Sequence, residues 1–309
     1  MQVICGGYRT LLRWLVVWAC LWAAVQAGAE QRDIVPVDTS CVISSSADIA
    51  VVQGLAPGPF RLRGDLTIRQ LELPFLPSLG ELVEVEGHVS ISRNSGLRDI
   101  EGLAALECVG KGLYITVNEA LLHLEGLRNL RQVDGALMIR QNQALANING
   151  LRELGSIGSS LNIESNAVLD SLAGLRGLVE VPEHLVIGDN PGLSNLAGLD
   201  NLVRVGRSLW VGGSVGGNDG LFNLVGLGQL KIVEGRLYIG ENRALAELTG
   251  LAGLSGIGEN LVVLDNGNLR DLSALDGLKG VGGEFVFADN PLLDSLLVQA
   301  LIERLKGSQ

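Results

Sequence analysis

The chain has 309 residues, 47% of them hydrophobic but only 4% aromatic, with 42 glycines and a formal charge of −11. That much aliphatic side chain excludes wholesale disorder and a collagen-like chain. All 34 acidic residues follow position 29 and face 21 basic ones there, a formal −13 that repels phosphate backbones and argues against nucleic acid as a partner.

The first 29 residues read as an address. Arg9 and Arg13 come without any acid, Trp14 to Val25 form a 12-residue apolar run, and Val25-Gln26-Ala27 or Ala27-Gly28-Ala29 supplies a small-x-small cleavage site. This predicts a secretory signal peptide over 1–29. A permanent span needs about 20 apolar residues, and no later segment has them uninterrupted by glycine and charge, so the mature chain is expected to carry no transmembrane segment. It should be secreted, periplasmic or at the cell surface. A lipid anchor through Cys20 is the weaker reading, because Trp18 suits a lipobox poorly.

Residues 30–60 are expected to form an N-terminal cap, polar to position 45 with Pro36, then closing on Ile49 to Val52 and Leu55. Cys41 and Cys108 are the cysteines left after cleavage, and the sequence allows either one disulfide or two thiols. There is no CxxC and no His/Cys cluster, so neither a metal nor a cofactor is expected.

From 61 to 293 the chain repeats. Asn94, Asn118, Asn142, Asn166 and Asn190 are followed by Asn218, Asn242, Asn266 and Asn290, every interval being 24 residues except one of 28. Each Asn closes a segment such as Leu137-Met138-Ile139-Arg140-Gln141 and is followed by aliphatics every third residue. A fixed period of this length marks a solenoid, in which one unit cannot bury its own face and stacking makes the core. The expected fold is thus a β-rich repeat solenoid of about ten coils. The alternating Leu-x-Ile piece predicts a short strand in one parallel sheet, and the three-spaced arm predicts extended turns or short 3₁₀ segments. The Asn column is expected to be structural, its amides bonding backbone groups of neighbouring coils. Over 294–309, Leu297, Leu301 and Leu305 predict an amphipathic capping helix from Ser295 to Lys306 and a tail; a membrane-surface helix is the other reading of that pattern.

The run from Leu127 through Val133, Gly135, Leu137 and Ile139 to Asn142 resembles the receptor L-domain branch of the leucine-rich-repeat superfamily. The resemblance covers roughly 60–293 and implies a right-handed superhelix. It transfers no binding residue, since ligand contacts in that family sit outside the repeat motif. The chain also lacks the Cys-rich modules, membrane span and kinase of the receptors, so signalling is not implied.

The middle residue of each strand should point outward: Thr67, Ser90, Tyr114, Met138, Asn162, Val186, Trp210, Tyr238, Val262 and Val286. The last five are apolar and lie beside a bare column of Gly188, Gly212 and Gly240, so Trp210 and Tyr238 are the expected anchors of a partner-binding strip, with Tyr114 and Met138 extending it. The 28-residue unit places its extra residues within Gly212 to Gly217, beside Trp210. Asp189, Glu241, Asp265 and Asp289 form a second column, too few oxygens for calcium and read as solvated turns. His88, His123 and His184 are read as falling in different phases of the repeat, so no catalytic constellation is expected and the chain is read as no enzyme.

The function expected is an exported, non-catalytic binding module for a protein or an envelope glycan, with a homodimer as one form of partner. Two other readings stand beside it, a structural or adhesive surface rod and a polysaccharide-active β-solenoid enzyme using Asp189 with Glu241.

Overall fold

The computed structural model describes residues 34–213 and 216–307; the expected signal peptide lies outside the described residues. From Val35 onward the chain is one compact unit, a parallel β-solenoid of about ten turns of roughly 24 residues. A regular coil begins with a four-residue strand such as Leu113–Thr116, passes through a 3₁₀ segment such as Glu125–Leu127, makes a two-residue strand such as Gln132–Val133, and re-enters the next long strand at Leu137–Arg140.

Alternation decides what the long strands bury. Leu113, Leu137, Leu161 and Leu185 stack in register, as do Ile115, Ile139, Ile163 and Ile187, and all eight are fully buried. Each such side chain contributes about 1.5–3 kcal/mol through burial, and no coil could collect that alone. The long strands form an eleven-stranded sheet from Cys41–Ile43 to Phe285–Ala288. Ten were expected, beginning near Thr67. The eleventh comes from the expected cap, where Val35–Val37 pairs with Phe60–Leu62 and Cys41–Ile43 pairs with Leu66–Arg69.

A second line of strands was not foreseen. Short pieces, two residues long in every coil from Cys108–Val109 onward, make a six-stranded sheet that starts with Val35–Val37 and ends at Ser156–Ile157 and a five-stranded one beginning at Glu180–Val181. Two residues are too short to show a period. The 3₁₀ turns between the sheets stack closely, and a Cβ on Gly126 would collide with the carbonyl oxygen of Ile100 one coil back. Glycine there is a condition of the 24-residue spacing.

Helices close both ends. Ser46–Gln53 starts with a capping box, Asp48 N–H donating to Ser45 Oγ (3.3 Å) and Ser45 N–H to the Asp48 carboxylate (2.9 Å), and it buries Ile49 and Val52. The sequence signalled an apolar closing segment here but not its helical form. Ser295–Lys306 is helical as its spacing predicts, but Leu301 and Leu305 are buried while Leu297 is exposed. Arg304 explains the seating: its guanidinium donates to the carbonyls of Leu278 (2.7 Å) and Leu275 (2.9 Å), which no further coil satisfies. Among the described residues no helix is long and apolar enough to cross a membrane.

Candidate functional site

The residue before each ladder Asn except Asn218 leaves the strand through the left-handed region. Gln141, Asp189, Glu241 and Asp265 have φ between 52° and 60°, and even the β-branched Val117 is held at 57°. That turn swings the next side chain inward. Asn142 then donates its backbone N–H and Nδ2–H to Asn166 Oδ1 (3.2 and 3.3 Å) and Nδ2–H to the carbonyl of Ile115 (2.9 Å). The same bonds recur from Asn94, where Leu71 N–H supplies the first rung, to Asn290. Asn94 through Asn266 are fully buried, so the row satisfies groups that water does not reach.

Facing away from this ladder, Tyr114, Met138, Asn162, Val186, Trp210, Tyr238, Val262 and Val286 lie in one unbroken register row. Most are half-buried by their row neighbours, and Val286 is exposed. Tyr238 is a correction: it is only 8% exposed and is no freestanding anchor. The bare column causes this, for the Tyr238 ring lies across it where a Cβ on Gly213 or Gly240 would overlap the ring. Its other neighbour is Trp210, stacked at 4.7 Å with 23° between the planes. Arg236 holds its guanidinium 5.8 Å from the Trp210 ring centre. The result is a fixed aromatic platform with Trp210 as its more accessible member.

Gly213, in the described part of the insertion, stands against the Tyr238 ring at the edge of this platform. Asp189 N–H donates to Gly216 O (3.0 Å), the place Gly188 O fills for Ser165 one coil earlier (3.1 Å). The four extra residues therefore follow Val211, and Gly216 resumes the coil. Beside it, Asp189, Asp219, Glu241 and Asp265 line a hollow of about 150 Å³ together with Gly216, Gly217 and Arg243. Burial, and then the nearby Glu241 and Asp265 carboxylates, push the Tyr238 hydroxyl above its ordinary range.

His88 and His184 occupy the same column four coils apart, which corrects the reading that all three histidines differ in phase. Each accepts an N–H through Nδ1, from Gly112 (3.0 Å) and Ser208 (3.4 Å) respectively, while its own backbone N–H donates to Asp65 or Ser160 in the coil before, so the ring is a structural rung between coils. Four coils at about 4.8 Å hold them far apart. Cys41 and Cys108 share no disulfide: the first lies in the long sheet, the second in the six-stranded sheet in a later coil. No group of three or more metal-ligating side chains converges among the described residues.

Arg236, Asp219 and Arg243 were missed by the sequence reading, which examined single columns, whereas the site draws on several. Comparison with known proteins found no matching family model, curated protein or solved structure.

Proposed function

We propose that the chain is an exported, non-catalytic binding module that recognises a protein or an envelope glycan through the outward face of the long parallel sheet, with Trp210 at the centre of contact. The Trp210–Tyr238 stack carries this reading, because a rigid aromatic pair set on glycines gives contact area at little cost in conformational entropy. The departure from the 24-residue period falls at the same place, and insertions in solenoids often mark the binding face. Kinship with the receptor L-domain branch belongs to this proposal and rests on the repeat motif.

The test is capture from the envelope and secreted fractions of the cells that make the chain, with the parent and a Trp210→Ser variant of matched circular dichroism. Loss of a captured partner in the variant supports the reading; equal capture by both overturns it. A structural rod is the second reading, favoured by the uninterrupted eleven-stranded ladder. It predicts self-assembly that Trp210→Ser leaves unchanged.

A further inference from the structure

The two ends of the long sheet are finished differently. At the start, Cys41 and Ile43 point inward and lie buried against the helix Ser46–Gln53, and Leu71 N–H supplies the first rung of the asparagine row. At the other end the last long strand, Phe285–Ala288, pairs with Leu261–Leu264 alone. Its inward side chains Phe285 and Phe287 are only half-buried, whereas the inward pair of every earlier long strand from Leu66–Arg69 to Leu261–Leu264 is fully buried.

The backbone along this edge is equally open. One coil earlier, Leu261 N–H donates to Glu284 O (2.9 Å), Asp265 N–H to Ala288 O (3.1 Å) and Asn266 N–H to Asn290 Oδ1 (3.0 Å). Their counterparts on Phe285, Asp289 and Asn290 have no next coil, and among the described residues none of these three N–H groups has a partner. Phe287 O matches Val263 O, which accepts Asn290 Nδ2–H (2.9 Å), and no further Asn serves it. An unpaired edge of this kind is a template for another strand.

The neighbouring helix decides what can pair there. Ser295–Lys306 lies against Gly280–Val281 and bonds the carbonyls of Leu275 and Leu278, so it stands over the turn side of the last coil. A helix is about 10 Å across and coils are about 4.8 Å apart, so a second solenoid cannot stack a whole coil on this end, while a single extended segment fits along the strand. The open groups also set the pattern of that segment. Alternate residues must be apolar to cover Phe285 and Phe287. An Asn three residues after the second of them would offer Oδ1 to Asn290 N–H and Nδ2–H to Phe287 O, as Asn166 Oδ1 serves Asn142 and Asn142 Nδ2 serves Ile115.

We propose that the free edge of Phe285–Ala288 docks an extended segment of a partner protein, added in parallel as a further strand of the long sheet and carrying the pattern apolar-x-apolar-x-x-Asn. The site is separate from the Trp210 face and does not depend on it.

The probe is a fluorescein-labelled peptide with the sequence of Ala136 to Asn142, titrated against the full chain by anisotropy. In parallel pairing the peptide's Met138 and Arg140 amides face the edge and its Ile139 amide faces away, as in the chain's own register. Saturable binding is expected, weakened more than about tenfold by N-methylation of Met138, less than about twofold by N-methylation of Ile139, and about threefold by Asn142→Ala in the peptide. In the protein, Phe287→Pro removes an edge N–H and should weaken binding at least about tenfold, whereas Val42→Pro on the first long strand and Trp210→Ser should each change it less than about twofold. Both prolines sit where the lost N–H faces away from the paired strand, a position that tolerates them, and circular dichroism checks the fold. Equal effects of the two methylations, unchanged binding by Phe287→Pro, or no saturation by about 1 mM peptide overturns the proposal.

Discussion

The inward asparagine row and the outward row through Trp210 run along the same strands, yet one hardly changes and the other changes at almost every coil. Asn94 to Asn266 keep one residue, full burial and the same bonds. The outward row passes from Tyr114 through Met138, Asn162 and Val186 to Trp210 and Tyr238. Even its two tyrosines behave differently: the Tyr114 ring turns toward Gly112, with His88 5.6 Å away, while Tyr238 lies toward Gly240 and stacks on Trp210. Repetition marks positions where each coil solves the same physical problem. Variation marks positions the coil does not need for itself, and these are free to serve a partner.

If that contrast is sound, damage to the inward row is felt in stability and damage to the outward row in recognition. Asn166→Ala removes a fully buried group bonded to Asn190, Ile139 and Glu164 and should cost about 3 kcal/mol in urea unfolding. Asn290→Ala, at the partly exposed end, should cost less than half as much, and equal costs would deny that burial sets the value. Gly240→Ala sharpens the boundary between the rows. It forces the Tyr238 ring off its shelf, with an expected loss of about 2 kcal/mol and a greater Tyr238 exposure measurable by ultraviolet titration. Trp210→Ser gives up a stacked pair on the surface and should cost only about 1 kcal/mol by the same unfolding assay.

The smallest effect is in alkali. Because the Tyr238 hydroxyl is raised in the folded chain, folded protein keeps that proton above about pH 10, where the unfolded chain releases it. The associated stability is complete below that pH and is lost as pH rises through the folded value. Tyr238→Phe should remove that part of the alkaline decline in urea midpoint, and an unchanged decline would show that the hydroxyl is not shielded.

The solenoid was legible because one physical requirement recurs: Leu137 to Asn142 already contains the strand, the turn and the ladder residue of every coil. The positive φ before every ladder Asn but Asn218 was not, since Gln141, Val117 and Asp189 share a backbone and not a side-chain type. The two-residue strands such as Cys108–Val109 were too short to carry a period. The burial of Tyr238 was missed for a related reason. Its exposure depends on Gly213 in the preceding coil as much as on its own strand, and single-column reading does not see across coils. Arg236 and Asp219 escaped in the same way.

The binding-face reading requires that a partner meet the long sheet and not the short one. A photoreactive benzoylphenylalanine placed at Val186, next to Trp210 in the outward row, can be compared with one at Val179, an exposed apolar residue beside the short five-stranded sheet. With a partner bound, cross-links should form from position 186 and not from 179. Cross-links from 179 alone would place the contact on the other sheet and contradict the central claim.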